Sequence, residues 1–203
     1  MAEDSLEDLF NKFFGDILGS ESNPFSRQDP RRNASFETDP RRNALFETFR
    51  GEIEKGDKTY LKRAVVEYQS EVYGRGSDAD LMQVYAKACV FVENIQVGYE
   101  SLHRIKDPSS KQKQAMGILA YEMGKPQEAI DHLKEVEDKV STARIVYSLS
   151  LHSQGDRDCN SHSRLLEPLF EKSSLANTIL GTLYFNSGET VRAEEFFDRS
   201  VQL

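Results

Sequence analysis

Small and apolar residues recur along the second half of this chain at intervals of 31 to 33 residues. The interval is clearest at Gly124, Gly155 and Gly188, each of which follows apolar positions spaced three or four apart. The four copies comprise Leu180, Gly181, Tyr184, Gly188, Ala193 and Phe197; Met116, Gly117, Ala120, Gly124, Ala129 and Leu133; Tyr147, Ser148, Leu151 and Gly155; and Tyr85, Ala86, Cys89, Gly98 and Leu102. Such a period is typical of stacked helix pairs, which present surfaces rather than catalytic pockets.

The small residues predict where the two helices of each pair cross. They are Gly117, Ser148 and Gly181 on the first helices, and Gly98, Ala129 and Ala193 on the second helices. Helix backbones approach closely only where side chains are small, and larger apolar residues fill the surrounding space. The three periodic glycines fall where each first helix should end, because glycine adopts the left-handed conformation at low cost.

These residues resemble the tetratricopeptide repeat family over residues 77–203, best in the units at 174–203 and 110–140. The family's opening aromatic residue is absent, since Lys113, Arg144 and Asn177 stand at that position. The resemblance implies an all-α fold, a right-handed superhelical stack of helix hairpins. It also implies that the first helix of each unit lines a concave groove.

The resemblance places nine residues in that groove. They are Gln114, Ile118, Tyr121, Ile145, Leu149, His152, Thr178, Thr182 and Phe185. Family members that clamp the acidic end of heat-shock chaperones have Lys, Asn and Arg at set groove positions, and this chain lacks them there. We therefore expect the groove to bind an apolar helical or extended segment of a protein partner. The alternative is that these side chains pack internally.

The first 19 residues form a different kind of sequence. An apolar stripe at helical spacing predicts an amphipathic helix with an acidic opposite face. The stripe contains Leu6, Phe10, Phe13, Phe14 and Ile17. Two interpretations remain open: the helix caps the repeats, or it docks on a partner.

A tandem duplication follows, in which residues 29–38 return as residues 39–48 with one position in ten changed. Residues 20–42 are predicted to be an irregular linker, with a helix beginning near Asp39 or Pro40 because Asp-Pro interrupts helices. Each copy carries an arginine pair, which suits RNA phosphate or an acidic protein surface. These arginines are Arg31, Arg32, Arg41 and Arg42. The duplication is interpreted either as a repeated linker or as a linear motif presented twice. Residues 43–76 are predicted to form a degenerate helix pair that begins the stack.

Composition restricts the class of protein. The formal net charge of −8 argues against a dedicated nucleic-acid-binding domain. The acidic N-terminus differs from a signal peptide, and no 18-residue apolar run predicts a membrane span. Two cysteines are too few for a disulfide framework, so a cytoplasmic or nuclear location is expected.

No catalytic or cofactor motif is recognisable, so we predict no enzyme and no cofactor or metal. Cys159 and His162 have a metal-like spacing, but two ligands do not make a zinc site, and a hydrophilic loop is expected there. The C-terminal face around Leu180, Leu183 and Phe196 is expected to be covered by another chain, because terminal repeats need a cap.

The sequence therefore predicts a non-enzymatic adaptor or scaffold in a multi-subunit assembly. One alternative is a ribosome- or RNP-associated factor that uses the arginine-rich tail. A further alternative is a dedicated chaperone for a single client.

Overall fold

The computed structural model describes residues 39–75 and 78–203, which form eleven α-helices and one short 3-10 helix. The α-helices are α1 (Pro40–Lys55), α2 (Lys58–Glu67), α3 (Gln69–Gly74), α4 (Ala79–Phe91), α5 (Ile95–His103), α6 (Ser110–Glu122), α7 (Pro126–Leu133), α8 (Ser141–Ser153), α9 (Cys159–Leu166), α10 (Ser174–Asn186) and α11 (Thr190–Gln202). The 3-10 helix, Glu167–Leu169, continues α9. The all-α prediction is confirmed.

The helices stack as consecutive pairs. α1 packs against α2 and α4, and the following pairs are α4 with α5, α6 with α7, α8 with α9, and α10 with α11. Successive pairs are joined by further contacts of α5 with α6, of α8 with both α6 and α7, and of α9 with α10. Each pair can therefore bury its apolar face only against its neighbours in the chain.

The periodic glycines end the first helices, as predicted. Gly124, Gly155 and Gly188 have φ values of +71°, +93° and +85°, and they follow α6, α8 and α10. An L-residue with a Cβ atom is strained in this conformation. Pro126 then begins α7, where its missing N–H costs no hydrogen bond.

Two of the predicted crossings depend on the absence of a Cβ atom. A Cβ built on Gly117 of α6 would lie 2.5 Å from Cγ of Leu133 in α7. A Cβ on Gly181 of α10 would lie 2.6 Å from Cε1 of Phe197 in α11. The Leu133 and Phe197 side chains therefore pack directly on the glycine backbone, in space that the Cβ atom of any other residue would occupy.

The second copy of the duplicated decapeptide forms the start of α1. The Asp39 carboxylate accepts hydrogen bonds from the backbone N–H groups of Arg41 (3.0 Å) and Arg42 (3.2 Å), and it also pairs with Arg75. This N-cap explains why the helix begins at Pro40, as the Asp-Pro sequence predicted. The same carboxylate thus holds the start of α1 against the segment that follows α3.

The prediction of a hydrophilic loop at Cys159 and His162 is wrong. Cys159 begins α9, and Cys159 and His162 are both buried. The loop ends earlier because Asp158 caps the helix by accepting a hydrogen bond from the backbone N–H of Asn160. His162 is buried because it faces Ser148 across the α8–α9 crossing.

Candidate partner-binding surface

Three of the nine predicted groove residues are inaccessible to a partner. Gln114, Ile118 and Ile145 are 2%, 0% and 1% exposed, so their prediction as lining residues is corrected. Ile118 is enclosed because α6 packs against helices on several sides. The Gln114 amide donates to the carbonyl oxygen of Asp138 (3.3 Å) and accepts from the backbone N–H of Val140 (2.8 Å). This side chain therefore fixes the connection between α7 and α8.

The other six residues are partly or fully exposed, and we call them the groove face. They are Tyr121 of α6, Leu149 and His152 of α8, and Thr178, Thr182 and Phe185 of α10. Phe185 is 61% exposed, which is unusual for an aromatic side chain and costs free energy in water. The largest exposed apolar surface of the groove face therefore lies on α10.

The threonines of α10 make its exposed face less polar than their residue type indicates. The Thr178 hydroxyl donates to the Ser174 carbonyl oxygen (3.0 Å), and the Thr182 hydroxyl donates to the Thr178 carbonyl oxygen (2.9 Å). Both hydroxyls are satisfied within the helix, so a partner need not supply hydrogen bonds to them. This arrangement suits an apolar partner segment beside Phe185.

Arg157 provides a positive charge at the edge of the groove face. Its guanidinium lies against the His152 ring, with Nη1 3.0 Å from Nε2, and donates to the His152 carbonyl oxygen at 3.2 Å. Among the residues that the structure describes, no carboxylate lies within salt-bridge distance of it. Arg157 also borders a shallow cavity of about 270 Å³ with Leu183, Asn186 and Ser187.

The overall arrangement is that of known repeat proteins. A crystal structure of a MamA protein matches with a TM-score of 0.68 at 16% sequence identity, covering 79% of this chain and 90% of that one. A second MamA structure gives 0.64 at 17% identity, covering 75% and 91%. YrrB, described as a TPR protein with an unusual peptide-binding site, gives 0.60 at 17% identity, covering 77% and 92%.

This chain has the tetratricopeptide repeat (TPR) fold. The sequence resemblance is therefore confirmed at the level of structure. No protein-family model and no curated protein sequence matches the chain. Every unit lacks the opening aromatic residue, and the α8–α9 crossing is polar. Both features depart from the repeat pattern on which sequence comparison depends.

The TPR stack also brings together a polar cluster that sequence reasoning missed. The Tyr99 hydroxyl of α5 donates to Glu128 Oε2 of α7 (2.8 Å) and lies 3.1 Å from His132 Nε2. His103 stacks on Tyr99 with ring centroids 5.7 Å apart. The Tyr99 hydrogen bond lowers the pKa of Glu128, and burial lowers the pKa of His132. The repeat period could have indicated this contact, because Tyr99 and His132 lie 33 residues apart, about one repeat unit.

This cluster joins consecutive second helices and has no metal-binding geometry. Within residues 39–75 and 78–203, no group of three or more His, Cys, Asp or Glu side chains could hold a metal ion. Over the same residues, no helix is both long and apolar enough to span a membrane.

The two arginines of the second decapeptide copy differ in exposure. Arg31, Arg32 and the apolar stripe of residues 1–19 lie outside the described residues. Arg41 is available, with a side chain 79% exposed and Nε 2.9 Å from Glu71 Oε1. The prediction that Arg42 contacts RNA or an acidic partner is wrong. Arg42 is buried, and its Nε lies 2.7 Å from Oδ2 of the buried Asp78. Arg42 therefore has a structural role, because its ion pair with Asp78, the N-cap residue of α4, joins α1 to α4.

The predicted C-terminal face is also corrected. Leu180 and Leu183 are 0% and 3% exposed, because α11 covers them within its own pair. Phe196 packs on Tyr184 and Phe170, with both ring centroids 5.4 Å away. The exposed apolar residues at this end are instead Val191, Phe197, Val201 and Leu203.

Proposed function

We propose that this chain is a non-enzymatic adaptor that binds an apolar segment of a partner protein on its groove face. The observation that carries the proposal is the exposure of Phe185 beside two threonines whose hydroxyls are already satisfied. An apolar partner side chain would cover Phe185 and gain about 25 cal/mol for each Å² buried. YrrB, with the same fold, is described as having a peptide-binding site, which supports a protein ligand for this chain.

The described residues contain one Ser–His side-chain contact, between Ser148 and His162, and its burial argues against catalysis there. Ser148 Oγ and His162 Nδ1 are 2.7 Å apart, which would suit an activated nucleophile. Both residues are enclosed, with exposures of 0% and 1%. A substrate cannot reach this serine without separating α8 from α9, so we assign the contact to packing.

The RNP alternative is weakened but still open to test. Arg42 is unavailable for RNA because it is paired with Asp78 inside the core. Arg41 and the first-copy arginines Arg31 and Arg32 are the groups left for phosphate contact. The N-terminal stripe would dock on a second partner or on the repeats themselves. A single stoichiometric client would instead favour the dedicated-chaperone alternative.

The deciding experiment is affinity capture of the full chain from cell extract, with and without nuclease, read by quantitative mass spectrometry. Phe185→Ala should reduce recovery of the partner at least about tenfold, the loss expected when an aromatic anchor of an interface is truncated. Tyr60→Ala is the matched control, because Tyr60 is 45% exposed on α2, away from the groove face. Its recovery should equal that of the wild type.

The opposite results are informative. Equal losses in both variants, or none in either, would remove the groove face as the binding surface. The RNP alternative would be favoured if the partners are lost on nuclease treatment. They should then also be lost in the triple variant Arg31→Ala, Arg32→Ala and Arg41→Ala.

A further inference from the structure

The apolar core of the described residues divides into two clusters that meet at α8. The larger cluster extends from α1 to α8 and includes Ala143 and Val146. The smaller cluster takes Ile145 and Leu149 from other faces of α8 and continues through α9, α10 and α11. α8 therefore contributes to both clusters and connects the two halves of the stack.

That crossing differs in chemistry from its neighbours. Gly117 packs under Leu133 at the α6–α7 crossing, and Gly181 packs under Phe197 at the α10–α11 crossing. At the α8–α9 crossing a serine faces a histidine, with Ser148 Oγ 2.7 Å from His162 Nδ1. A polar contact thus takes the place of an apolar one at the point where the core divides.

The His162 ring is only half satisfied. His162 is 1% exposed, and its Nε2 atom is buried and forms no well-aligned hydrogen bond with any described residue. Burial lowers the pKa of His162, and the nearby His152 of α8 acts in the same direction. Asp156 and Asp158, in the connection to α9, oppose this shift through their charges, and the Asp156 backbone opposes it as a hydrogen-bond acceptor for the ring. α10 carries no Asp, Glu, Lys, Arg or His side chain that could neutralise a charge there.

We propose that the Ser148–His162 contact is an acid-sensitive joint, which opens the α8–α9 crossing when His162 becomes protonated. An imidazolium has two N–H donors. The site offers one well-aligned acceptor, the Ser148 hydroxyl oxygen, and the Asp156 backbone carbonyl only in poor alignment. A buried charge whose second acceptor is poorly aligned is unfavourable, and water completes its hydrogen bonding only if the helices separate.

The sign of the effect follows from the direction of the shift. His162 binds a proton more readily when exposed, where its pKa returns toward the ordinary value of 6.5, than when enclosed. The closed joint is therefore fully stable above about pH 6.5 and loses stability as the pH falls below that value. Leu149 and His152 lie on one side of the joint, and Phe185 lies on the other. Opening would separate the two parts of the groove face, a consequence that rests on the proposed function.

Hydrogen exchange of the full chain tests the joint without any partner. We would compare pH 7.5 with pH 6.0, which stays above the pI of about 5.1, and correct for intrinsic exchange rates. The opening equilibrium of α8 and α9 should rise with acidification, by at most about tenfold per pH unit for one proton. α4, inside the larger cluster, should not change and serves as the internal reference.

Two variants assign the effect to His162. His162→Gln is neutral at both pH values and should make α8 and α9 equally protected at pH 7.5 and 6.0. His103→Gln, the same change at an exposed histidine, should retain the wild-type response. An acid response that persists in His162→Gln, or that spreads evenly over all helices, would overturn the proposal.

An NMR titration of the wild-type histidine resonances covers the case in which His162→Gln does not fold. The expected result is a His162 midpoint below 6.5 that moves together with the exchange of α8 and α9. A midpoint at or above 6.5 with the crossing still protected would overturn the joint.

Discussion

Leu45 distinguishes the two copies of the duplicated decapeptide, because the first copy has Ser35 at that position. Leu45 is 5% exposed, and Phe49 one turn later is fully buried. If the first copy occupied the same place on α4, Asp39 would replace Phe49, and Pro40 would fall inside the helix. Both changes are strongly unfavourable, so side-chain packing selects the second copy.

Within that copy, we expect the two adjacent arginines to differ sharply in their effect on stability. Arg42→Ala should lower the free energy of unfolding by about 3–5 kcal/mol, because it leaves the buried Asp78 carboxylate without its partner. Arg41→Ala should change it by less than about 1 kcal/mol, because the Arg41 side chain is 79% exposed and water screens its charge. Urea denaturation of both variants measures the difference, and similar losses would show that Arg42 is not a packing residue.

At the scale of the helix pair, stability depends on how closely a side chain of one helix packs on the backbone of the other. α6 and α7 meet at a glycine, as do α10 and α11, whereas α8 and α9 meet at Ser148. A glycine inside a helix costs about 0.5–1 kcal/mol relative to alanine, so it is favourable only where the closer approach recovers more than this.

Two glycine substitutions should therefore act in opposite directions. Gly117→Ala should destabilise the protein by about 1–3 kcal/mol, because the new Cβ would lie 2.5 Å from Cγ of the buried Leu133. Gly51→Ala, in α1, should stabilise it by about 0.5–1 kcal/mol, because a Cβ there meets no atom within 4 Å. Thermal and urea unfolding would show this, and a destabilising Gly51→Ala would contradict the argument.

The features that the sequence predicted correctly have local causes. The helix ends at Gly124, Gly155 and Gly188 depend on one residue's φ, and the start of α1 depends on the Asp39 cap. The period then implies the pairing, because each unit can bury its apolar face only against the next.

The predictions that failed concern burial from several sides. The family resemblance places Ile118 and Ile145 in the groove, but their burial depends on the distance of the neighbouring helices. His162 is expected in a hydrophilic loop, and Arg42 is expected to contact RNA phosphate or an acidic protein surface. Their partners, Ser148 and Asp78, lie 14 and 36 residues away, and sequence spacing does not reveal such contacts. The groove face was accordingly predictable only in part.

On the scale of the whole molecule, the two apolar clusters make the stack uneven. In a repeat array each unit is stabilised by its neighbours, so opening free energies differ along the chain. The smaller cluster is enclosed by fewer helices, and its junction with the larger cluster includes the polar α8–α9 crossing. We therefore expect α9, α10 and α11 to open more readily than the helices around α4, even at neutral pH.

The two cysteines report on this difference in opening free energy, because Cys89 lies in the larger cluster and Cys159 lies in the smaller one. Cys89 is fully buried in the larger cluster, where burial raises the pKa of its thiol to about 12. Cys159 is 8% exposed in the smaller cluster, with Sγ 3.7 Å from Ser187 Oγ. N-ethylmaleimide at pH 7.5, read by peptide mass spectrometry, should label Cys159 at least about tenfold faster, which corresponds to an opening free energy about 1.4 kcal/mol lower. In denaturant the two rates should converge, which controls for intrinsic reactivity. Equal rates in the native protein would mean that the two clusters open as one unit, because labelling of a buried thiol requires its surroundings to open.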